Sequence, residues 1–361
     1  MNSSTVFALG KPRERLLYLD LLRCLSIFAV TVLHSALPLL TKSDRPEFLP
    51  GIVYAALCVF CVPVLLMISG TLMLTDAQPV NVATFYRKRL PKILIPLLAW
   101  SLIYYILYCV QGHTVFNIAT FLKRFLAGMW SGPLWFLYMM VGVYLMLPFV
   151  RPVFGGDTKR LSLIFVGIIF GSQALYILVR LLFARDLNSY FVGALFPFSI
   201  TYLVLGNVLC RMRRVPPGKR GILAAFFFLS AMAVSFGEFM AKTGNLVPQS
   251  TFYNYLEPIV AVMGVCVFLF FKDWNPSRQS KQARLTQWLS GLSYGIFLSH
   301  ILVQMLLTGE IPLFFRPGTG LDWHTASPLF GPLLLGAATF VGAALLTAAI
   351  KSVPGLKRII P

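Results

Sequence analysis

LLYLDLLRCLSIFAVTVLHSALPLL, residues 16–40, is an apolar run longer than the roughly 20 residues a helix needs to cross a bilayer. It also carries three groups that hydrocarbon penalises: Asp20, Arg23 and His34. On a helix turning about 100° and rising ~1.5 Å per residue, the eleven steps from Arg23 to His34 make just over three turns. The two side chains therefore share one stripe, ~16 Å apart. Asp20 precedes Arg23 by three residues and is its nearest counter-ion by sequence. An ionisable side chain inside a span costs several kcal/mol unless it faces a bundle interior or a water-filled cavity. The stripe is therefore expected to face other helices and to carry function.

The remaining sequence has the same character. Of 361 residues, 58% are hydrophobic and only 12% charged, far from the balance of a soluble domain. Ten apolar runs read as spans: Leu16–Leu40, Gly51–Leu74, Ile93–Val110, Leu134–Val150, Leu161–Phe183, Phe191–Cys210, Gly221–Met240, Tyr255–Phe271, Trp288–Leu307 and Leu329–Ile350. The expectation is an all-α, polytopic integral membrane protein with about ten transmembrane helices. Residues 1–361 form one domain, with 1–15 as a cytoplasmic N-terminal segment and 351–361 as a cytoplasmic tail.

The net charge of +19 suggests nucleic acid at first, but its distribution excludes that reading. With the N-terminus inside, 22 of the 31 Lys and Arg residues fall in the inner segments and 8 in the outer ones, with Arg23 left within a span. A bias that alternates loop by loop is a topology signal, and it places both termini in the cytoplasm. The first apolar run exceeds a signal-peptide core, and no small-residue cleavage site follows, so it is expected to stay as an anchor. The six cysteines lie in or beside spans as small apolar groups, and no disulfide framework or metal site is expected. Cys58 and Cys61 form a Cys-x-x-Cys, but without neighbouring Cys or His to complete a ligand set.

Two outer segments, Gln111–Gly132 and Thr308–Pro328, are rich in Gly, Pro, Phe and Trp and hold His113 and His324. Their aromatic content fits the headgroup level, and Phe121–Leu126 reads as a short amphipathic piece with Lys123 and Arg124 on its polar side. Glu238 and Glu257 fall at helix ends and are expected to be solvated, with contact to an acceptor hydroxyl as the other reading.

Five motifs occur in order along this frame. Tyr18-Leu19-Asp20-Leu21-Leu22-Arg23 reaches His34 after ten intervening residues. Leu66-Met67-Ile68-Ser69-Gly70 closes the second span. Phe85-Tyr86-Arg87-Lys88-Arg89-Leu90-Pro91-Lys92 leads into the third. Pro133-Leu134-Trp135-Phe136-Leu137 runs on to Tyr144 and Pro148, and Leu292-Ser293-Tyr294-Gly295-Ile296-Phe297-Leu298-Ser299-His300 falls in the ninth. Together they resemble the membrane-bound acyltransferase 3 family of bacterial surface-glycan O-acyltransferases. One position departs from the pattern: the family's Arg-x-x-Arg before the third helix has Lys92 as its second residue here. Lysine keeps the charge but lacks the planar fork for two-point phosphate contact.

The resemblance implies transfer of an acyl group, most simply acetyl, from cytoplasmic acetyl-CoA to a hydroxyl of a surface or periplasmic glycan or its lipid-linked precursor. The setting would be the bacterial inner membrane. His34 is the expected catalytic base, because a neutral imidazole takes a proton from an attacking hydroxyl near neutral pH. Arg89 and Lys92 are expected to hold the CoA phosphates, on one side of a helix start whose free N–H groups also favour anions. Arg23 sits deeper on the acyl-CoA path. Asp20, Ser69, Trp135 and His300 are supporting residues. Beyond donor, glycan acceptor and membrane lipids, a separate periplasmic transferase is a possible partner, and no metal is required. Two other readings stand beside this one. One is a carrier or flippase that binds or protonates a solute at the embedded Arg and His. The other is a half-reaction enzyme that hands the acyl group across the bilayer.

Overall fold

Proline positions set where the apolar runs break. The computed structural model describes residues 15–41, 47–75, 77, 80–183, 198–243, 254–255, 257–311, 327 and 329–360. Helix α1 (Leu17–Ala36) tightens into a 3-10 turn, Leu37–Thr41, around Pro38. The expected single helix over Gly51–Leu74 is two, α2 (Phe48–Cys58) and α3 (Cys61–Met73). Pro63 explains the correction, since it has no N–H for the Val59 carbonyl and its ring crowds that group. The third run extends backward as α4 (Val82–Arg89), capped by Asn81 Oδ1 accepting from the Thr84 N–H at 2.9 Å. Pro91 then opens α5 (Pro91–Val110).

The expected amphipathic piece is helix α6 (Ile118–Ala127), capped by Asn117, with Phe121 buried beneath it. There follow α7 (Trp135–Phe154), α8 (Lys159–Phe183), α9 (Phe198–Arg211), α10 (Arg220–Thr243), α11 (Pro258–Phe271), α12 (Lys281–Thr308) and α13 (Gly331–Ser352). Taking α2 with α3 and α4 with α5 as single rods, eight segments among the described residues are long and apolar enough to cross a membrane. The apolar helices α9 and α11 are shorter, at 14 residues each, or ~21 Å, against a hydrocarbon layer of roughly 30 Å. All ten expected runs are therefore helical where described, but two are short, and residues 191–197 of the sixth and 256 of the eighth lie outside the described residues.

Helix α1 is the hub, packed on α2, α3, α12 and α13. Its buried side chains join those of α3, α5, α7, α9 and α12 in one continuous core. The apolar residues left exposed, such as Phe226, Met232 and Phe236 of α10, form the outer face of a bundle whose solvent is lipid. The tightest crossing is α3 on α9. A Cβ placed on Gly70 would lie 1.9 Å from Leu203 O, and one on Gly206 2.1 Å from Met67 O. Backbone meets backbone there, as small residues permit between membrane helices.

Candidate functional site

The stripe on α1 faces α12, whose Ser290, Ser293, Phe297, His300 and Gln304 recur at three- and four-residue intervals and so share one face. The two helices run parallel. Ser290 meets Arg23 near their N-terminal ends, and His300 meets His34 farther along.

At the Arg23 end, Asp20 is 4% exposed and is the acceptor for three bonds. Arg15 Nε donates to Oδ2 at 2.6 Å, Arg15 Nη2 to Oδ1 at 3.1 Å, and Ser290 Oγ to Oδ1 at 2.6 Å. Arg23 Nη1 lies 3.5 Å from Oδ1 and donates to Ser290 Oγ at 2.9 Å. Asp20 therefore reaches Arg23 mainly through the Ser290 hydroxyl, while its direct ion pair is with Arg15. The bond to Asp20 pushes the Arg15 guanidinium above its usual range, so it stays charged. Two cations against one carboxylate leave this end positive, and Arg23, whose side chain is 29% exposed, has donors to spare for an anionic ligand.

At the other end, the His34 and His300 rings lie 5.1 Å apart between centroids, inclined by 49°. His300 is fully buried, and its Nδ1 is 2.6 Å from Phe297 O. Only a protonated Nδ1 can make that bond, so the lone pair of the neutral ring is on Nε2, which has no protein partner among the described residues. Gln304, one turn on, donates Nε2–H to the His34 carbonyl at 3.4 Å, and its buried Oε1 is unpartnered among the described residues. The bond has a sequence cause. Pro38 stands four residues after His34 and carries no N–H for that carbonyl, which leaves it open to α12. A fixed His300 ring beside His34 and an amide with an unspent acceptor suit a ligand hydroxyl, which brings the donor these atoms lack.

Arg89 and Lys92 flank the α4–α5 junction. Both are exposed, and the Lys92 carbonyl accepts from Tyr294 Oη of α12 at 3.3 Å, one turn from Ser290. Arg89 is within electrostatic reach of Tyr144 on α7. Both cations thus belong to the Arg23 end of the bundle. The expectation of free N–H groups here is corrected. Leu90 N–H donates to Tyr86 O, those of Ile93 and Leu94 to Leu90 O, and Pro91 has none, because α4 runs almost continuously into α5. These four positions therefore offer no free N–H to an anion.

Ser69 lies on α3, where its hydroxyl donates to Leu65 O at 3.0 Å. Trp135 stacks on Tyr255 at 5.5 Å, and its neighbour Phe136 reaches the seam through Phe297, 5.3 Å away, which in turn borders His300. His113 packs on Tyr108, and Arg124 lies over the Trp130 and Tyr108 rings. His324 falls outside the described residues. Glu238 and Glu257 are not solvated as expected. They are 0% and 5% exposed, and Glu238 pairs with Lys242 at 3.6 Å, because neighbouring helices cover what the sequence marks as helix ends. Cys58 and Cys61 are buried on either side of the α2–α3 break. Sequence reasoning passed over Ser290 and Gln304, although their three- and four-residue spacing from His300 and its neighbours was visible. Arg15, which was read only as a topology signal, is the third residue missed.

The bundle is an all-helical polytopic membrane protein with a polar seam between two parallel helices, cationic at one end and imidazole-bearing at the other. The profile of the acyltransferase 3 family, described as an acyltransferase domain, matches residues 16–348, and the chain belongs to that family. It is an acyltransferase. Neither the curated proteins nor the solved structures gave a match.

Proposed function

We propose that the protein transfers an acetyl group from cytoplasmic acetyl-CoA to a hydroxyl of a surface or periplasmic glycan or its lipid-linked precursor, in the bacterial inner membrane with both termini cytoplasmic. The observation that carries this reading is the seam itself, with spare cationic donors at Arg23 and, ~16 Å farther along the same two helices, the half-buried His34 ring beside the buried His300. The 22-to-8 charge bias supports the orientation, with the Arg23 end inside. If α1 enters hydrocarbon near Leu21, His34 lies about 20 Å along a layer roughly 30 Å thick, nearer the outer face.

In this reading Arg89 and Lys92 hold CoA phosphates at the inner mouth, and Arg23 draws the donor into the seam. His34 takes the proton of the acceptor hydroxyl as its oxygen attacks the thioester carbonyl. Collapse of the tetrahedral adduct breaks the C–S bond and leaves the new ester, and His34 returns its proton to the departing thiolate. His300, fixed through Nδ1, and Gln304, fixed on the His34 carbonyl, position the base.

The test uses proteoliposomes with labelled acetyl-CoA outside and glycan acceptor inside. Label is expected on the glycan, and His34→Gln, which keeps a hydrogen-bonding group but cannot carry the proton, should lower transfer by at least the ~10² expected for a general base while leaving acyl-CoA binding intact. Near-normal transfer by His34→Gln refutes the base assignment. Solute flux without label favours a carrier, and label crossing the bilayer but reaching glycan only with a second protein favours the half-reaction.

A further inference from the structure

On the far side of α1 from the seam lies a cavity of about 350 Å³ between α1, α2, α10 and α11. Leu25, Phe28, Phe60, Leu223, Phe227 and Phe270 account for much of its wall, and Cys58 and Cys266 are its most polar side chains. A wall without hydrogen-bonding side chains gives water no partners, so its natural occupant is hydrocarbon. Leu25 and Phe28 stand roughly 160° and 140° around α1 from Arg23, so a chain in this cavity is separated from His34 by the helix itself. It is not the path of the acyl donor.

The lining reaches to within about one turn of the start of α10 and the end of α11, where charge is concentrated. Arg220 begins α10, one turn below the lining residues Leu223 and Ala224, and Asp273 follows two residues after Phe271, the last lining residue of α11. Arg220 Nη2 lies 3.9 Å from Asp273 Oδ2 across the two rims, and Arg214 Nε lies 3.9 Å from Oδ1. Arg213 and Lys219 beside them are exposed. Arg214 and Arg220 thus share a single carboxylate at distances too long for hydrogen bonds, with Arg213 and Lys219 adjacent in sequence, and the buried Nε of Arg220 has no hydrogen-bond partner among the described residues. A positive lip about one turn from an apolar, lipid-level cavity has the shape and charge of a phospholipid: phosphate at the lip, chain within.

We propose that this cavity holds one acyl chain of an anionic phospholipid whose phosphate is bound by Arg220 and Lys219. The lipid fills the gap between α1 and α10 and wedges the hub helix against α11 on the side opposite the seam. The site is independent of the transfer chemistry and of the acceptor.

The experiment uses the full chain in detergent, with native mass spectrometry and thermal unfolding during titration with phosphatidylglycerol or phosphatidylcholine of identical chains. One phosphatidylglycerol should be retained per protein in preference to phosphatidylcholine and should raise the unfolding midpoint. The Lys219→Gln, Arg220→Gln double variant should bind phosphatidylglycerol about tenfold more weakly, the loss of roughly one charge-assisted contact, with a lipid-free midpoint like the parent's. Ala224→Trp, which fills the cavity, should abolish retention of both lipids at this site. Equal retention of the two lipids by the unaltered protein overturns the proposal without any variant, as does undiminished phosphatidylglycerol binding by Ala224→Trp.

Discussion

Removing the Ser290 hydroxyl separates two accounts of Arg23. In the structure that one oxygen donates to Asp20 Oδ1 at 2.6 Å and accepts from Arg23 Nη1 at 2.9 Å, while the direct Asp20–Arg23 approach is 3.5 Å. Ser290→Ala therefore removes a hydrogen bond to a buried carboxylate and one to a guanidinium. Bonds to charged groups contribute about 1.5–3 kcal/mol each. Asp20 keeps both Arg15 bonds, and Arg23 is free to close on Asp20 directly, so the expected loss is about 2 kcal/mol rather than the sum. Asp20→Asn is harsher. It leaves Arg15 and Arg23 facing each other with no carboxylate between them, and breaking a partly buried pair of this kind costs about 3–5 kcal/mol. The assay is a double-mutant cycle on unfolding free energy in detergent, with acyl-CoA binding measured on each folded variant. If the hydroxyl acts by relaying Asp20 to Arg23, the two substitutions couple by about 1–2 kcal/mol, and Ser290→Ala alone weakens acyl-CoA binding by letting the guanidinium close on Asp20 and spend its free donors there. Additivity within about 0.5 kcal/mol, together with unchanged acyl-CoA affinity, would refute the relay.

Three further outcomes are expected. Gly70→Ala should destabilise by about 1–3 kcal/mol or more, since its Cβ meets the Leu203 backbone, whereas Gly142→Ala, with nothing within 4 Å, should be neutral or slightly stabilising; comparable midpoints for the two would contradict the crossing. Arg89→Ala should weaken acyl-CoA binding in monodisperse protein, Lys92→Arg should preserve or improve it and Lys92→Glu should abolish it; unchanged affinity in Arg89→Ala counts against the inner mouth. A cytoplasm-active reporter fused after Pro361 should be active and a periplasm-active one silent, and the reverse result refutes the orientation drawn from the charge bias.

The bundle was legible in the sequence because hydrocarbon imposes so blunt a rule: long apolar runs become helices, and the ten runs did. The one-sided stripe on α1 was equally readable, since helical geometry alone aligns Arg23 with His34. What the stripe faces was not readable. Pairing α1 with α12 joins residues some 270 positions apart, and no periodicity within one helix names its neighbour. That is why Asp20 was assigned to Arg23 by proximity while Arg15, which comes before the helix proper, takes the shorter contact. Helix breaks were harder than helix existence. Pro63 signals an interruption, but a membrane helix often tolerates proline when neighbours satisfy the freed carbonyl, so the sequence alone does not choose between a kink and a break. The buried Glu238 and Glu257 show the same limit, because their burial depends on the packing of neighbouring helices.

Pro38 ties these levels together. Its missing N–H leaves the His34 carbonyl without its helical partner, in a setting where no water substitutes cheaply. Gln304 of α12 supplies the donor, which fixes the height of α12 against α1 and sets His300, one turn earlier, beside the His34 ring. With α12 held at that height, Ser290 falls level with Arg23 and Asp20 at the other end, ten residues down a parallel helix against eleven on α1. The register of the whole seam thus follows from polar groups that hydrocarbon forbids to go unpaired. Among the described residues, His300 Nε2 and Gln304 Oε1 remain unpaired in it, and both are acceptors beside His34, the base proposed above. An incoming hydroxyl supplies the missing hydrogen-bond donor, so the arrangement suits an acyl acceptor better than a second cation or a purely structural contact.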